Sequence, residues 1–163
     1  GLIRDRAVIA LREDGFDEDQ IARIVADVPI ATHNQRARGT LLVGTTDRRV
    51  IPADALIAIV EGGMSSEIYE LMKRSDEGAV VEKAHRRPRF VEDCVREAVR
   101  DVVERFGGLD DGTFVSARQE NLETIHQHNV VAERFGLLGE LRGEIVTGEH
   151  LRHHTSMREW LDG

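Results

Sequence analysis

Residues 89–119 read RFVEDCVREAVRDVVERFGGLDDGTFVSARQ, and this stretch decides the fold class. Val91, Cys94, Val95, Ala98, Val99, Val102, Val103 and Phe106 recur at intervals of three and four. That spacing lines one face of an amphipathic helix over Arg89–Phe106. Gly107-Gly108 ends the helix, Asp110-Asp111-Gly112 makes a turn, and Thr113 to Gln119 reads as a strand.

Working upstream, the apolar residues of Leu2 to Leu11 suit a helix that stops near Gly15. Asp17 with Gln20 three residues later is a capping-box pattern, and Ile21, Ile24, Val25 and Val28 continue it as a second helix closed by Pro29. Ala37 to Val50 reads as a strand with a turn near Asp47. Pro52 suits the first position of a helix whose apolar face is Ala55, Leu56, Ile59 and Val60. Ser65 or Ser66 then caps an expected short helix holding Ile68, Tyr69, Leu71 and Met72.

Downstream, Leu122 to Val131 reads as a further strand, and residues 148–163 as a polar tail with Trp160 as an anchor. Helices and strands do not alternate strictly, so the expectation is an α+β domain spanning 1–163.

Composition narrows the function. The chain has 163 residues and a formal net charge of −8, a balance that disfavours a nucleic-acid partner because phosphate is repelled on average. No run of about 18 apolar residues occurs, so no membrane span is expected. The single cysteine, Cys94, suits a reducing, cytoplasmic setting. No phosphate-cradling or dinucleotide glycine motif is present, nor a Cys-x-x-Cys pair.

Three polar clusters could carry chemistry. Thr32-His33-Asn34-Gln35-Arg36 lies at an element boundary, where sites are often built, though a solvated loop would look the same. Glu120 to His128 holds Glu123, His126 and His128. On a helix Glu123 and His126 would share a face, on a strand His126 and His128 would. Imidazole with carboxylate suits borderline divalent metals; the bland alternative is an exposed polar strand. The third cluster is Glu82, Lys83 and His85 with Glu97 on the long helix. Singly, Glu97 resembles any surface carboxylate, and His150, His153 and His154 sit in the polar tail. By elimination, a mixed His/Glu divalent-metal site is the best chemical candidate.

Taken in order, several stretches resemble the type IB GTP cyclohydrolase family, in particular its archaeal branch. They are Val28–Arg36 (VPIATHNQR), Ser65–Arg74 (SSEIYELMKR), Val80–Ala84 (VVEKA), Pro88–Asp93 (PRFVED) and Ala117–His128 (ARQENLETIHQH). The resemblance implies a tunnelling-fold (T-fold) unit: an antiparallel sheet with helices packed on one side. Such units assemble as homo-oligomers, dimers or tetramers, with sites at subunit interfaces. It further implies that GTP is opened at C8 of guanine, formate is released and a dihydroneopterin phosphate is made, the cyclic phosphate in the archaeal branch, for folate- or methanopterin-type cofactors.

By motif, His33, Glu82 and His126 resemble the family's metal ligands, for ferrous iron first, with zinc or manganese as alternatives. Glu97 resembles the carboxylate that grips the guanine edge, Glu123 and His128 resemble proton-handling groups, and Arg36 is placed to hold the triphosphate. The family also carries a metal-binding cysteine in a Cys-Pro-Cys stretch upstream of the histidine motif, and this chain contains none. The expectation is therefore the carboxyl-terminal module of a two-module enzyme, with activity of this stretch by itself open. The alternative is a non-catalytic oligomerisation module that binds a purine or pterin.

Overall fold

A computed structural model describes residues 2–28, 34–47 and 49–163. The chain divides into two compact units, residues 1–34 with 69–88, and residues 35–68 with 89–163.

The first unit is helical. Helix α1 (Leu2–Glu13) and helix α2 (Glu18–Asp27) pack together, burying Ile21 and Val25. The turn between them passes through Gly15 at φ +89°, a left-handed backbone that a side chain would strain. The expected capping box is present: Asp17 Oδ1 accepts the Gln20 N–H at 2.8 Å, and Gln20 Oε1 accepts the Asp17 N–H at 3.0 Å.

Three strands and the long helix make the second unit. Strands β1 (Ala37–Gly44), β2 (Phe114–Asn121) and β3 (Val130–Leu137) form an antiparallel sheet in the order β1-β2-β3. Ala37 faces Asn121 at one end of the first pair, and Phe114 faces Leu137 in the second. Because side chains alternate along a strand, Val115 and Ala117 share a face. Helix α3 (Ala53–Gly63) and helix α5 (Val91–Arg105) bury that face through Ile59, Val95, Ala98, Val99 and Val102.

Val102 and Val115 are fully buried, and each such side chain stabilises by on the order of 2 kcal/mol. The two helices approach closely at Gly63, where an added methyl would lie 3.1 Å from the Cys94 carbonyl oxygen. Helix α5 opens with the Phe90 N–H donating to Asp93 Oδ2 at 3.1 Å.

Helix α6 (Leu138–Thr147) follows β3 directly and adds Leu138 and Leu141 to the core. The polar tail ends in a short helix, α7 (Met157–Asp162). There Trp160 does anchor: its Nε1–H donates to the Gly112 carbonyl at 2.8 Å, and its ring lies 5.7 Å from that of Phe114 on the opposite sheet face. Two carboxylates of α6 hold the tail. Glu140 accepts from the Thr155 hydroxyl at 2.7 Å, and Glu144 accepts from the Leu151 N–H at 2.7 Å while pairing with Arg134 and His154.

Two sequence expectations fail. Residues 65–72 are not helical; the helix of that region, α4 (Arg74–Arg86), starts later and belongs to the first unit. Ile68 and Leu71 are exposed, so no buried face sustains a turn there, and a short helix without packing is marginal. Residues 122–129 are a loop rather than a strand, and strand pairing resumes at Val130. No helix of the described residues is long and apolar enough to cross a membrane.

Candidate functional site

The β2–β3 loop and the lead-in to β1 are brought together by strand pairing. Once Ala37 is opposite Asn121, the chain ends just beyond the ladder must meet, and the Leu122 N–H donates to the Arg36 carbonyl at 2.8 Å. One residue further on each side, the Gln35 Nε2–H donates to Glu123 Oε1 at 2.9 Å. Arg36 and Glu123, singled out from separate clusters, are thus neighbours.

Glu123 Oε2 and Gln35 Oε1 are both buried without a hydrogen-bond partner. A buried acceptor left unpaired is uncommon and is what an incoming donor or cation would satisfy. Asn129 closes the far side of the loop. Its Oδ1 accepts the Glu123 N–H at 3.3 Å and its Nδ2–H donates to Glu120 Oε1 at 3.1 Å. The Arg118 guanidinium, 3.0 Å from Glu120, holds that carboxyl below the usual carboxylate range, helped by Asn129.

Between these ties the loop presents two exposed imidazoles. The His126 and His128 rings stack at 5.8 Å with an interplanar angle of 25°. Residues two apart thus lie side by side although the segment is not a strand.

Glu97 lies on α5, with its side chain partly exposed. The Arg100 guanidinium one turn on, and then Arg89, hold its carboxyl below the ordinary value, against burial. Glu82 lies on α4 in the first unit, 2.7 Å from Arg86 in an i,i+4 pair. His33 falls outside the described residues. Among the described residues, no three His, Cys, Asp or Glu side chains converge as a metal-holding group.

Arg89 and Asn129 carry no chemical role in the sequence reading, and Gln35 stands there only as a member of the 32–36 polar cluster. Arg89 stands eight residues before Glu97 but ahead of α5, whose cap is Phe90, so it lies outside the helix whose repeat would relate the two. The pairing of Gln35 with Glu123, and of Asn129 with Glu120, becomes visible only once the strand register is known.

Against known proteins, residues 7–132, more than half of the chain, match the family described as type I GTP cyclohydrolase folE2. A protein named GTP cyclohydrolase MptA from Methanococcus aeolicus is 48% identical over 144 residues, which cover 88% of this chain and 47% of that protein. Its namesake from Methanosarcina acetivorans is 46% identical over 144 residues, covering 88% and 45%. That of Methanococcus maripaludis strain C6 is 45% identical over 146 residues, covering 90% and 46%. The chain therefore spans about half the length of the relatives it matches.

Proposed function

This chain belongs to the type I GTP cyclohydrolase folE2 family, and on that premise we propose that it is the carboxyl-terminal T-fold module of a two-module GTP cyclohydrolase. The substrate is GTP. The reaction removes C8 of guanine as formate and yields a dihydroneopterin phosphate, the cyclic phosphate, for pterin-type cofactors. The protein works as a homo-oligomer with sites at subunit interfaces.

One observation carries this reading: strand register joins Arg36 and Glu123 at the mouth of a loop that presents His126 and His128. In it, the Glu97 carboxylate accepts two parallel hydrogen bonds from the guanine N1–H and 2-amino group. The Arg36 guanidinium binds triphosphate oxygens. Glu123 and His128 move protons at the opening purine, a role that needs groups within hydrogen-bond reach of the substrate. Gln35 fixes one Glu123 oxygen and leaves the other without a partner to take a proton or a donor.

His33, Glu82 and His126 are the proposed ligands of a divalent cation, ferrous iron first, with zinc or manganese as alternatives. The donor chemistry fits, because imidazole and carboxylate suit such metals, and the unpartnered Glu123 Oε2 leaves acceptor capacity on the same loop as His126. A cation bound there supplies Lewis acidity, making water nucleophilic near neutral pH.

The test is formate release from GTP together with bound-metal analysis on the full-length gene product. His126→Ala is expected to lose both turnover and metal. Normal turnover and metal content in that variant overturn the proposal, and GTP binding without any turnover by the unaltered protein would favour a non-catalytic binding module instead.

A further inference from the structure

Both cations that hold Glu97 meet the same oxygen. Arg89 Nη1 lies 3.3 Å from Oε1, and Arg100 Nη2 contacts that oxygen too. The shortest contact of each guanidinium is thus to Oε1. The two guanidiniums differ in their surroundings: the Arg89 side chain is 15% exposed and that of Arg100 is 50% exposed.

We propose that Arg89 is the positioning residue of the purine-edge carboxylate, and that Arg100 is a placeholder which the guanine edge displaces. The proposal rests on the reading of Glu97 given above. An ionised carboxylate offers about four lone-pair directions. Parallel recognition of N1–H and the 2-amino group needs one free direction on each oxygen. Oε1 is shared by two cations, so one of them must yield.

Arg100 yields at little cost, because its half-exposed head is taken up by water. Arg89 stays, since withdrawing a largely buried cation from its partner would leave both charges uncompensated. It thereby fixes the carboxylate rotamer while the ligand exchanges with Arg100. Selectivity for guanine over hypoxanthine, which lacks the amino group, is then set by a residue that does not touch the base.

The test compares GTP with inosine triphosphate on the full-length protein, reading KM and kcat for each, with thermal midpoints to check folding. For Arg89→Met, KM for GTP is expected to rise about tenfold, the size of one lost charge-assisted hydrogen bond. KM for inosine triphosphate should rise less, so the guanine preference collapses. Arg89→Lys should restore part of the preference, and it is the informative variant if Arg89→Met does not fold. Arg100→Met should lower KM for GTP.

Retention of the guanine preference in Arg89→Met, or absence of any loss in Arg89→Lys when Arg89→Met is unfolded, overturns the assignment. A rise in KM for Arg100→Met equal to that of Arg89→Met also overturns it. Glu97→Gln separates the two levels. If it keeps the preference, the reading of Glu97 fails as well; if it loses the preference while Arg89→Met keeps it, only the role of Arg89 falls.

Discussion

Gln35 and Glu123 stand 88 residues apart in sequence and are joined by one hydrogen bond of 2.9 Å, from the amide Nε2–H to the carboxylate Oε1. It ties the lead-in of β1 to the loop that follows β2. Gln35→Ala removes the one donor that, among the described residues, engages the Glu123 carboxylate. The expected cost is about 1 kcal/mol, more if the carboxylate cannot turn to water. A urea melt with a lower midpoint and an unchanged slope would show it; an unchanged midpoint would mean that solvent already serves Glu123.

Trp160 is the chain's single tryptophan, and it joins the tail to the sheet through Phe114 and the Gly112 carbonyl. Trp160→Phe keeps the ring contact and loses the indole donor, so a loss of about 1 kcal/mol is expected. Trp160→Ala also loses the apolar contact, for a total of about 3 kcal/mol. Thermal unfolding of the two variants separates these contributions, and a Trp160→Phe midpoint equal to that of the unaltered protein would refute the hydrogen bond as a stabilising tie.

At Gly63 the neighbour that a side chain would meet is backbone, the Cys94 carbonyl of α5. Neither helix can move aside without disturbing the Ile59 and Val95 packing. Gly63→Ala is therefore expected to destabilise by about 1–3 kcal/mol despite its better helix propensity. A stability gain would show that α3 can slide along α5.

Acid should loosen the tail before it unfolds the sheet. Burial pushes the Glu140 carboxyl up, but the Leu137 N–H and the hydroxyl and N–H of Thr155 outweigh it and hold the group below its ordinary value. Burial acts likewise on Glu144, against the Arg134 guanidinium and the Leu151 N–H, which prevail. A carboxylate depressed in the folded state adds stability that is complete above its unfolded pKa of about 4.3 and is lost as pH falls through the folded value. Trp160 fluorescence should therefore change below about pH 4, and Glu140→Gln with Glu144→Gln should flatten that limb. An acid limb that survives both substitutions would assign it to other carboxylates.

Helix α5 and the Asp17–Gln20 capping box were legible in sequence because each is a local pattern in which periodicity or capping geometry coincides with burial. Family membership was legible too, from ordered motifs. The 65–72 segment misleads because Ser65-Ser66 looks like a cap and Ile68, Tyr69, Leu71 and Met72 look like a face, yet Leu71 is exposed and meets no core among the described residues. Helix α6 was missed although Leu138 and Leu141 are fully buried; the signal was their three-residue spacing just after a strand. Arg36 and Glu123 come together through a register that only the paired strands fix. His33 lies outside the described residues, and Glu82 belongs to the first unit.

The loop carrying His126 and His128 is fastened by side chains, through Gln35 and Asn129, rather than by a ladder. Its amide protons should therefore trade with solvent far faster than those of β2 beside it. A molecule gripped by the two imidazoles must first still that segment, so association would release heat and surrender part of the gain as lost disorder. Slowed deuterium uptake confined to residues 122–129 would then be the earliest sign of occupancy, visible without any turnover.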